Sequence, residues 1–243
     1  MNLLIDMGNS RLKWAVAANG QLENGLTLDN RQLGRETLRQ LWQTLPMPQN
    51  IGIACVSANP LLELVQTTVT ELWPDARIVH CRSQAHAFGV INAYEQPEKL
   101  GVDRWLALIA AHRYYPAAVC VVDCGTAITV DLLEANGEHQ GGYISPGLVL
   151  MKQALAQGTN ALPFISGHYS DQPALSTEAA IHSGTLLAAR GLIEHVLATR
   201  AASSQLLLTG GDANIIAEHL NIPAVIDSDL VLRGLAIVLE EGG

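Results

Sequence analysis

The stretch Leu3-Leu4-Ile5-Asp6-Met7-Gly8-Asn9-Ser10-Arg11-Leu12-Lys13-Trp14 runs from an apolar segment through Asp-x-Gly into a second apolar segment at 14–18. A strand, a tight glycine-containing turn and a returning strand make a β-hairpin. The pattern recurs as Val121-Val122-Asp123-Cys124-Gly125-Thr126-Ala127, which continues apolar through 128–133. One such Asp-x-Gly is ordinary turn chemistry, because Asp and Gly favour turns for local reasons. Two copies, each between apolar strands, point to a duplicated domain.

The rest of the chain fits an alternation of strand and helix. Segments 51–56 and 76–80 are expected as short buried strands, and 35–45 and 61–72 carry helical spacing of apolar residues. Further on, 148–156, 178–198 and 213–220 are expected as helices and Gln205–Thr209 as a strand, which together argue a three-layer α/β fold. Tyr114-Tyr115-Pro116 offers the best boundary, giving domains at 1–115 and 116–243.

Composition limits the function. The chain has 243 residues, of which 49% are hydrophobic and 15% charged, the profile of a globular α/β protein. Its formal charge is −9 and Lys and Arg do not cluster, so no nucleic-acid partner is expected. An anionic ligand must instead be met by a few positioned donors. The N-terminus enters a strand without a basic leader, and no apolar run is long enough to span a bilayer. The expectation is therefore a cytoplasmic protein with no membrane partner.

Cys55, Cys81, Cys120 and Cys124 show no C-x-x-C spacing, and the histidines no H-x-x-x-H. Cys120 and Cys124 would lie about 13 Å apart along one strand, too far for a disulfide. Buried free thiols are expected, and no zinc centre.

Neither a Walker loop nor G-x-G-x-x-G occurs. The two hairpins supply another way to hold polyphosphate. Gly8 and Gly125 let backbone approach an anion, and successive turn N–H groups form a concavity for it. Ser10 and Thr126 add hydroxyls, and Lys13 adds charge. Asp6 and Asp123 would repel bare phosphate, so they make sense as ligands for a cation or its waters. Two facing hairpins of this kind would grip ATP and its metal.

Gly101-Val102-Asp103-Arg104-Trp105 precedes a helical run in which Trp105, Leu108, Ile109 and His112 share a face. Asp103 is thus at or near a helix N-terminus, either as a cap or as a functional carboxylate. Arg104 is a surface salt-bridge partner or a bidentate clamp for a carboxylate. Tyr94 lies in a polar stretch, 83–99, whose composition is that of a loop. Thr177 looks like a helix N-cap, with Ser176 as its rival. Gly210 and Gly211 form a tight turn or a close backbone approach to a ligand.

The paired hairpins resemble those of the actin, sugar kinase and Hsp70 superfamily. With DMGNS, DCGTA, GVDRW at 101–105, GGYISPG at 141–147 and TGGD at 209–212, the chain is similar to type III pantothenate kinases over almost its whole length. The resemblance implies two duplicated ribonuclease H-like domains and ATP-dependent phosphorylation of pantothenate to 4'-phosphopantothenate, the first step of coenzyme A synthesis. It implies Asp103 as the catalytic base. ATP would be met by Asp6, Met7, Gly8, Asn9, Ser10, Arg11, Leu12 and Lys13, with Thr126, Gly210 and Gly211. Pantothenate would be met by Tyr94, Gly101, Val102, Asp103 and Arg104.

The resemblance further implies magnesium on the nucleotide, held by Asp6 directly or through water, and a monovalent cation, K+ or NH4+, at Asp123. It implies a homodimer with a shared active site, Thr177 coming from the neighbouring subunit and GGYISPG forming wall and dimer contact. Two rivals share the hairpins: a sugar or acetate-type kinase of the same superfamily, and a nucleotide-binding regulator without turnover.

Overall fold

Leu3, Leu4 and Ile5 are completely buried because β1 (Asn2–Met7) has a neighbour on each edge and packing on each face. A strand in that position becomes a continuous apolar run rather than an alternating one. The computed structural model describes residues 1–242 except 58, 160, 161, 165, 166, 171 and 202, and Asn24 without its side chain. Contacts divide the chain into two units. The first comprises Met1–Gly89, Tyr94–Ala110 and Asp229–Gly243, and the second Val90–Ala93 and Ala111–Ser228.

The first unit carries β1, β2 (Arg11–Ala18), β3 (Gln21–Asp29), β4 (Asn50–Cys55) and β5 (Arg77–His80), with helices α1 (Arg35–Trp42) and α2 (Asn59–Leu72) between them. The sheet order is β3-β2-β1-β4-β5, in which β1 pairs antiparallel with β2 and parallel with β4. Its core gathers Leu3, Ile5, Met7 and Ile53 with Trp14 and Trp42, whose rings meet edge to face at 6.3 Å. Such aromatic pairs add about 0.5–1.5 kcal/mol beyond the area they bury.

After two short strands, β6 (His86–Ala87) and β7 (Val90–Ile91), comes α3 (Val102–Tyr114). The second unit then repeats the scheme with β8 (Val119–Cys124), β9 (Ala127–Leu133), β10 (His139–Pro146), β11 (Gln205–Thr209) and β12 (Val225–Ile226). Its order is β10-β9-β8-β11-β12, again antiparallel at β8/β9 and parallel at β8/β11. Strand for strand this is the first sheet over again, as expected of duplicated ribonuclease H-like domains. Helices α4 (Leu148–Gly158), α5 (Thr177–Arg200) and α6 (Ala213–Ala217) complete it. Among the described residues no helix is long and apolar enough to cross a membrane.

The last helix, α7 (Leu230–Glu241), belongs to the first unit, although a division at 115/116 assigns it to the second. The reason is close approach. A β-carbon at Gly52 on β4 would stand 2.9 Å from Leu239 Cδ1, and one at Gly234 would run into the Leu106 carbonyl of α3. The two Gly and the Pro-Gly pair of GGYISPG, ahead of a helix, suggest a shaped turn. Gly141 to Pro146 instead lie in edge strand β10, where the register shifts between His139 and Gly142 and Gly141 takes φ +90°, and Gly147 is the N-cap of the following helix. Segment 83–99 holds β6, β7 and a 3-10 turn at Pro97–Lys99 besides loop.

Candidate active site

The first hairpin turns at Gly8-Asn9-Ser10. The Gly8 N–H donates to the Arg11 carbonyl at 3.0 Å, and Asn30 supports the turn twice. Its side-chain amide donates to the Gly8 carbonyl and its backbone N–H to the Ser10 carbonyl, each at 2.9 Å. Asn9, Ser10 and Arg11 are exposed, whereas the Met7 and Leu12 side chains are core, so only their backbone could meet a ligand. Asp6 is half-buried and directly opposite Lys13 across the antiparallel pair. The Lys13 ammonium lies 2.8 Å from Asp229 Oδ1, a residue that sequence reasoning did not single out.

The second group of expected residues surrounds the start of α3. From Val102 to Ala111 every side chain is buried except that of Asp103, which is half-buried, so the helix is enclosed all round rather than amphipathic. The Trp105 N–H bonds to the Gly101 carbonyl at 3.0 Å, which places Asp103 inside the first turn and not at the cap. Its Oδ1 accepts the Arg104 N–H at 2.8 Å, and a β-carbon at Gly101 would come within 2.5 Å of that oxygen.

Arg104 is only 6% exposed, which removes the surface salt-bridge alternative. Its Nη1 donates to the Tyr94 hydroxyl at 2.8 Å, with the guanidinium carbon 5.6 Å from the Tyr94 ring centroid. A guanidinium presents five N–H donors in a rigid fork, the geometry that matches a carboxylate.

In the second unit three glycine segments converge near Asp123. Gly210 has φ +89°, and a β-carbon there would run into Asp123 Oδ1 and stand 2.7 Å from the Cys124 carbonyl oxygen. One at Gly125 would be 3.2 Å from Asp123 Oδ1, and one at Gly147 would collide with the Gly125 carbonyl. The loops are tied by Gly147 N–H to the Thr126 carbonyl and Asp212 N–H to the Cys124 carbonyl, both at 2.9 Å. Asp123 Oδ1 and the Cys124 carbonyl thus border a small cradle at Gly210 that a side chain there would fill. Oxygen donors of that kind suit hard cations. Gly147 belongs to the GGYISPG segment expected in the site wall, whereas Asp212, quoted in TGGD, carries no expected role.

All four cysteines are free, Cys120 and Cys124 buried, Cys55 and Cys81 half-buried rather than buried as expected. Desolvation pushes the Cys81 thiol up to about 11 and that of Cys120 to about 12. The Cys124 thiol is driven up by burial first, then by the charges of Asp123 and Asp212.

Thr177 opens α5, and the cap is Ser176, whose hydroxyl accepts the Ala179 N–H at 3.2 Å. Thr177 lines a cavity of about 690 Å3 with Pro146, Met151, Leu155, Ile181 and Thr185.

A family model described as type III pantothenate kinase matches residues 2–199. A protein of Halorhodospira halophila named type III pantothenate kinase is 40% identical over 245 residues, covering 97% of this chain and 96% of its own. Among solved structures, a conserved putative Baf family transcriptional activator from Campylobacter jejuni matches with TM-score 0.64 at 23% identity, over 99% of this chain and 98% of that one. A putative 2-dehydro-3-deoxygalactonokinase from Sinorhizobium meliloti matches with TM-score 0.57 at 14% identity, over 99% of both chains. At these identities the two structures speak for the fold alone.

Proposed function

The chain belongs to the type III pantothenate kinase family, and on that premise we propose that it transfers the γ-phosphoryl group of ATP to pantothenate. The product is 4'-phosphopantothenate, and the reaction opens coenzyme A biosynthesis. The observation that carries the reading within this chain is Asp103, the one unburied side chain of an otherwise enclosed helical segment, standing next to the Arg104–Tyr94 pair.

In this reading Asp103 accepts the proton of the substrate hydroxyl. A loose phosphoryl-transfer transition state lets that proton leave late, so a carboxylate of ordinary basicity suffices. Arg104, bonded to the Tyr94 hydroxyl, meets the pantothenate carboxylate, with the Gly101-Val102 backbone beside it. The Gly8 to Lys13 hairpin meets the ATP phosphates through turn N–H groups and the Lys13 ammonium. Thr126 adds a hydroxyl, and Gly210 and Gly211 let backbone approach the adenosine.

Magnesium, with Asp6 as its protein ligand directly or through water, would neutralise charge developing on the phosphates. The Asp123 cradle would hold the monovalent cation, K+ or NH4+. Thr177 would complete a partner subunit's site in a cytoplasmic homodimer.

A coupled assay of ADP release over a panel of small alcohols and acids tests the reading. Turnover confined to pantothenate supports it. Comparable turnover of a sugar or of acetate would replace it with another kinase of the superfamily, and ATP binding without turnover would leave a regulator.

A further inference from the structure

We propose that Ser83 is a positioning residue for Asp103, acting through the Leu100–Gly101 peptide that leads into α3. The inference rests on the reading that Asp103 is the base. Ser83 stands just past the end of β5 and is buried, as is Leu100. Its hydroxyl donates to the Leu100 carbonyl at 2.8 Å, across 17 residues of sequence. That carbonyl has no place in the helical ladder. The Trp105 N–H goes to Gly101, and Leu100, one residue earlier, is extended at φ −65° and ψ 132°. A buried carbonyl outside a ladder needs a donor from elsewhere, and Ser83 supplies it.

The peptide that Ser83 holds also bears on the carboxylate. A β-carbon at Gly101 would come within 2.5 Å of Asp103 Oδ1, so the carboxylate lies close against the Gly101 backbone, with the Arg104 N–H on the same oxygen at 2.8 Å. The peptides on either side are tied. The Leu100 N–H donates to the Pro97 carbonyl at 3.2 Å, and the Gly101 carbonyl accepts from Trp105 at 3.0 Å. Between those ties the Leu100–Gly101 peptide can pivot about its own ends, and such a pivot moves Gly101 relative to Oδ1. The Ser83 hydroxyl opposes it. A reacting group has to be held within about 0.5 Å of its productive position, and bonds from supporting residues are what hold it. Ser83 thus acts on the base through the backbone.

The test uses the full-length protein with Ser83→Ala, Ser83→Thr, Ser83→Val, Asp103→Asn and the Ser83→Ala/Asp103→Asn double variant. Ser83→Ala leaves a buried acceptor without its donor, and Tm should fall by about 2–12 °C. A serine with a structural role alone would do no more than this. At a temperature where the variant is folded, kcat should also fall by about tenfold or more, since a misplacement of about 1 Å can cost a hundredfold. The KM for ATP should not move. Thr and Val share a shape and differ in the hydroxyl, so Ser83→Thr should turn over faster than Ser83→Val.

In the Asp103→Asn background the base is already gone, and Ser83→Ala should change kcat by no more than about twofold, the mark of two residues acting as one unit. An undiminished Ser83→Ala loss in that background overturns the inference, as does a rise in either KM with kcat unchanged, or a lowered Tm with kcat at the wild-type value. Ser83→Thr no faster than Ser83→Val, where both fold, also overturns it; if either fails to fold, Ser83→Ala and the double variant decide. An Asp103→Asn enzyme that keeps most of its turnover overturns the reading of the base, and this inference with it. A loss in Asp103→Asn with none in Ser83→Ala overturns the inference alone.

Discussion

Replacing Gly210 by alanine separates two costs that the structure assigns to this one position. Its φ of +89° is open to glycine and strained for any other residue, by roughly 1–2 kcal/mol. A β-carbon there would also lie 2.6 Å from the Cys124 carbonyl carbon and collide with Asp123 Oδ1. Backbone cannot swing aside as the tip of a flexible side chain can, and overpacking of this kind typically costs about 1–3 kcal/mol. Together the two give about 2–5 kcal/mol. Gly141 supplies the control, because it shares the conformation, at φ +90°, but has no neighbour within 4 Å of its β-carbon. Gly141→Ala should therefore show the strain alone.

In a chain of this size each kcal/mol moves Tm by about 2–4 °C. Gly210→Ala is then expected to melt about 4–20 °C below wild type, and Gly141→Ala about 2–8 °C below. If Asp123 holds the monovalent cation, the potassium concentration for half-maximal rate, at a temperature where both remain folded, should rise several-fold in Gly210→Ala only, because Asp123 Oδ1 is the atom displaced. Equal melting points and equal potassium responses in the two variants would refute the cradle as drawn.

Asp103→Asn keeps an Oδ1 acceptor for the Arg104 N–H, so kcat should fall by roughly two orders of magnitude or more while Tm stays close to wild type; retention of most turnover would remove the base. If Thr177 serves the partner's site, co-refolding inactive Asp103→Asn with inactive Thr177→Arg should restore about a quarter of wild-type activity, since half the dimers are mixed and each has one intact site. Proven heterodimers without activity would contradict the shared site. The thiols of Cys81 and Cys120, raised by burial from 9.0 to about 11 and 12, ionise later in the folded than in the unfolded chain. Their contribution is complete below pH 9 and declines as pH rises through that window, so urea midpoints should drop between pH 9 and 11. The drop should shrink in a Cys81→Ser/Cys120→Ala variant.

Much of the fold can be read in the sequence because both central strands are buried on two faces and end in the same turn. Continuous apolar runs at Leu3–Leu4–Ile5 and Val121–Val122 leave little else for those segments to be. Edge strands behave differently. Gln21–Asp29 contains Asn-Gly in its middle and mixes polar with apolar residues, so its pairing with β2 comes from the sheet and not from its own pattern. The two glycines of β10 look like a turn for the same reason. Helix α7 is buried over most of its length, and nothing in its own pattern says which sheet it covers.

At the candidate site, residues carried by a local motif are legible in the sequence, and those brought by tertiary contact are not. Asp6, Gly8 and Lys13 announce themselves on one hairpin, as Asp103 and Arg104 do at the start of one helix. Asp229 is distant in sequence from the lysine it holds, and Asp-Leu-Val before a helix says only that a helix begins. The choice between Thr177 and Ser176 as cap turns on a single hydroxyl direction, which composition does not encode.

The placement of α7 has a consequence for the order in which the protein is made. The β1/β2 hairpin is made before any strand of the second sheet, yet the unit that carries it gains α7 only with Asp229–Gly243. The strands of the second sheet, between Val119 and Ile226, have all left the ribosome by then. The usual progression, in which the N-terminal domain folds first during synthesis, is inverted here. Until α7 emerges, the face of β4 at Gly52 lacks the leucines of α7 that cover it. The nascent first sheet thus carries an apolar face open to chaperones, and its own C-terminal helix is what closes it.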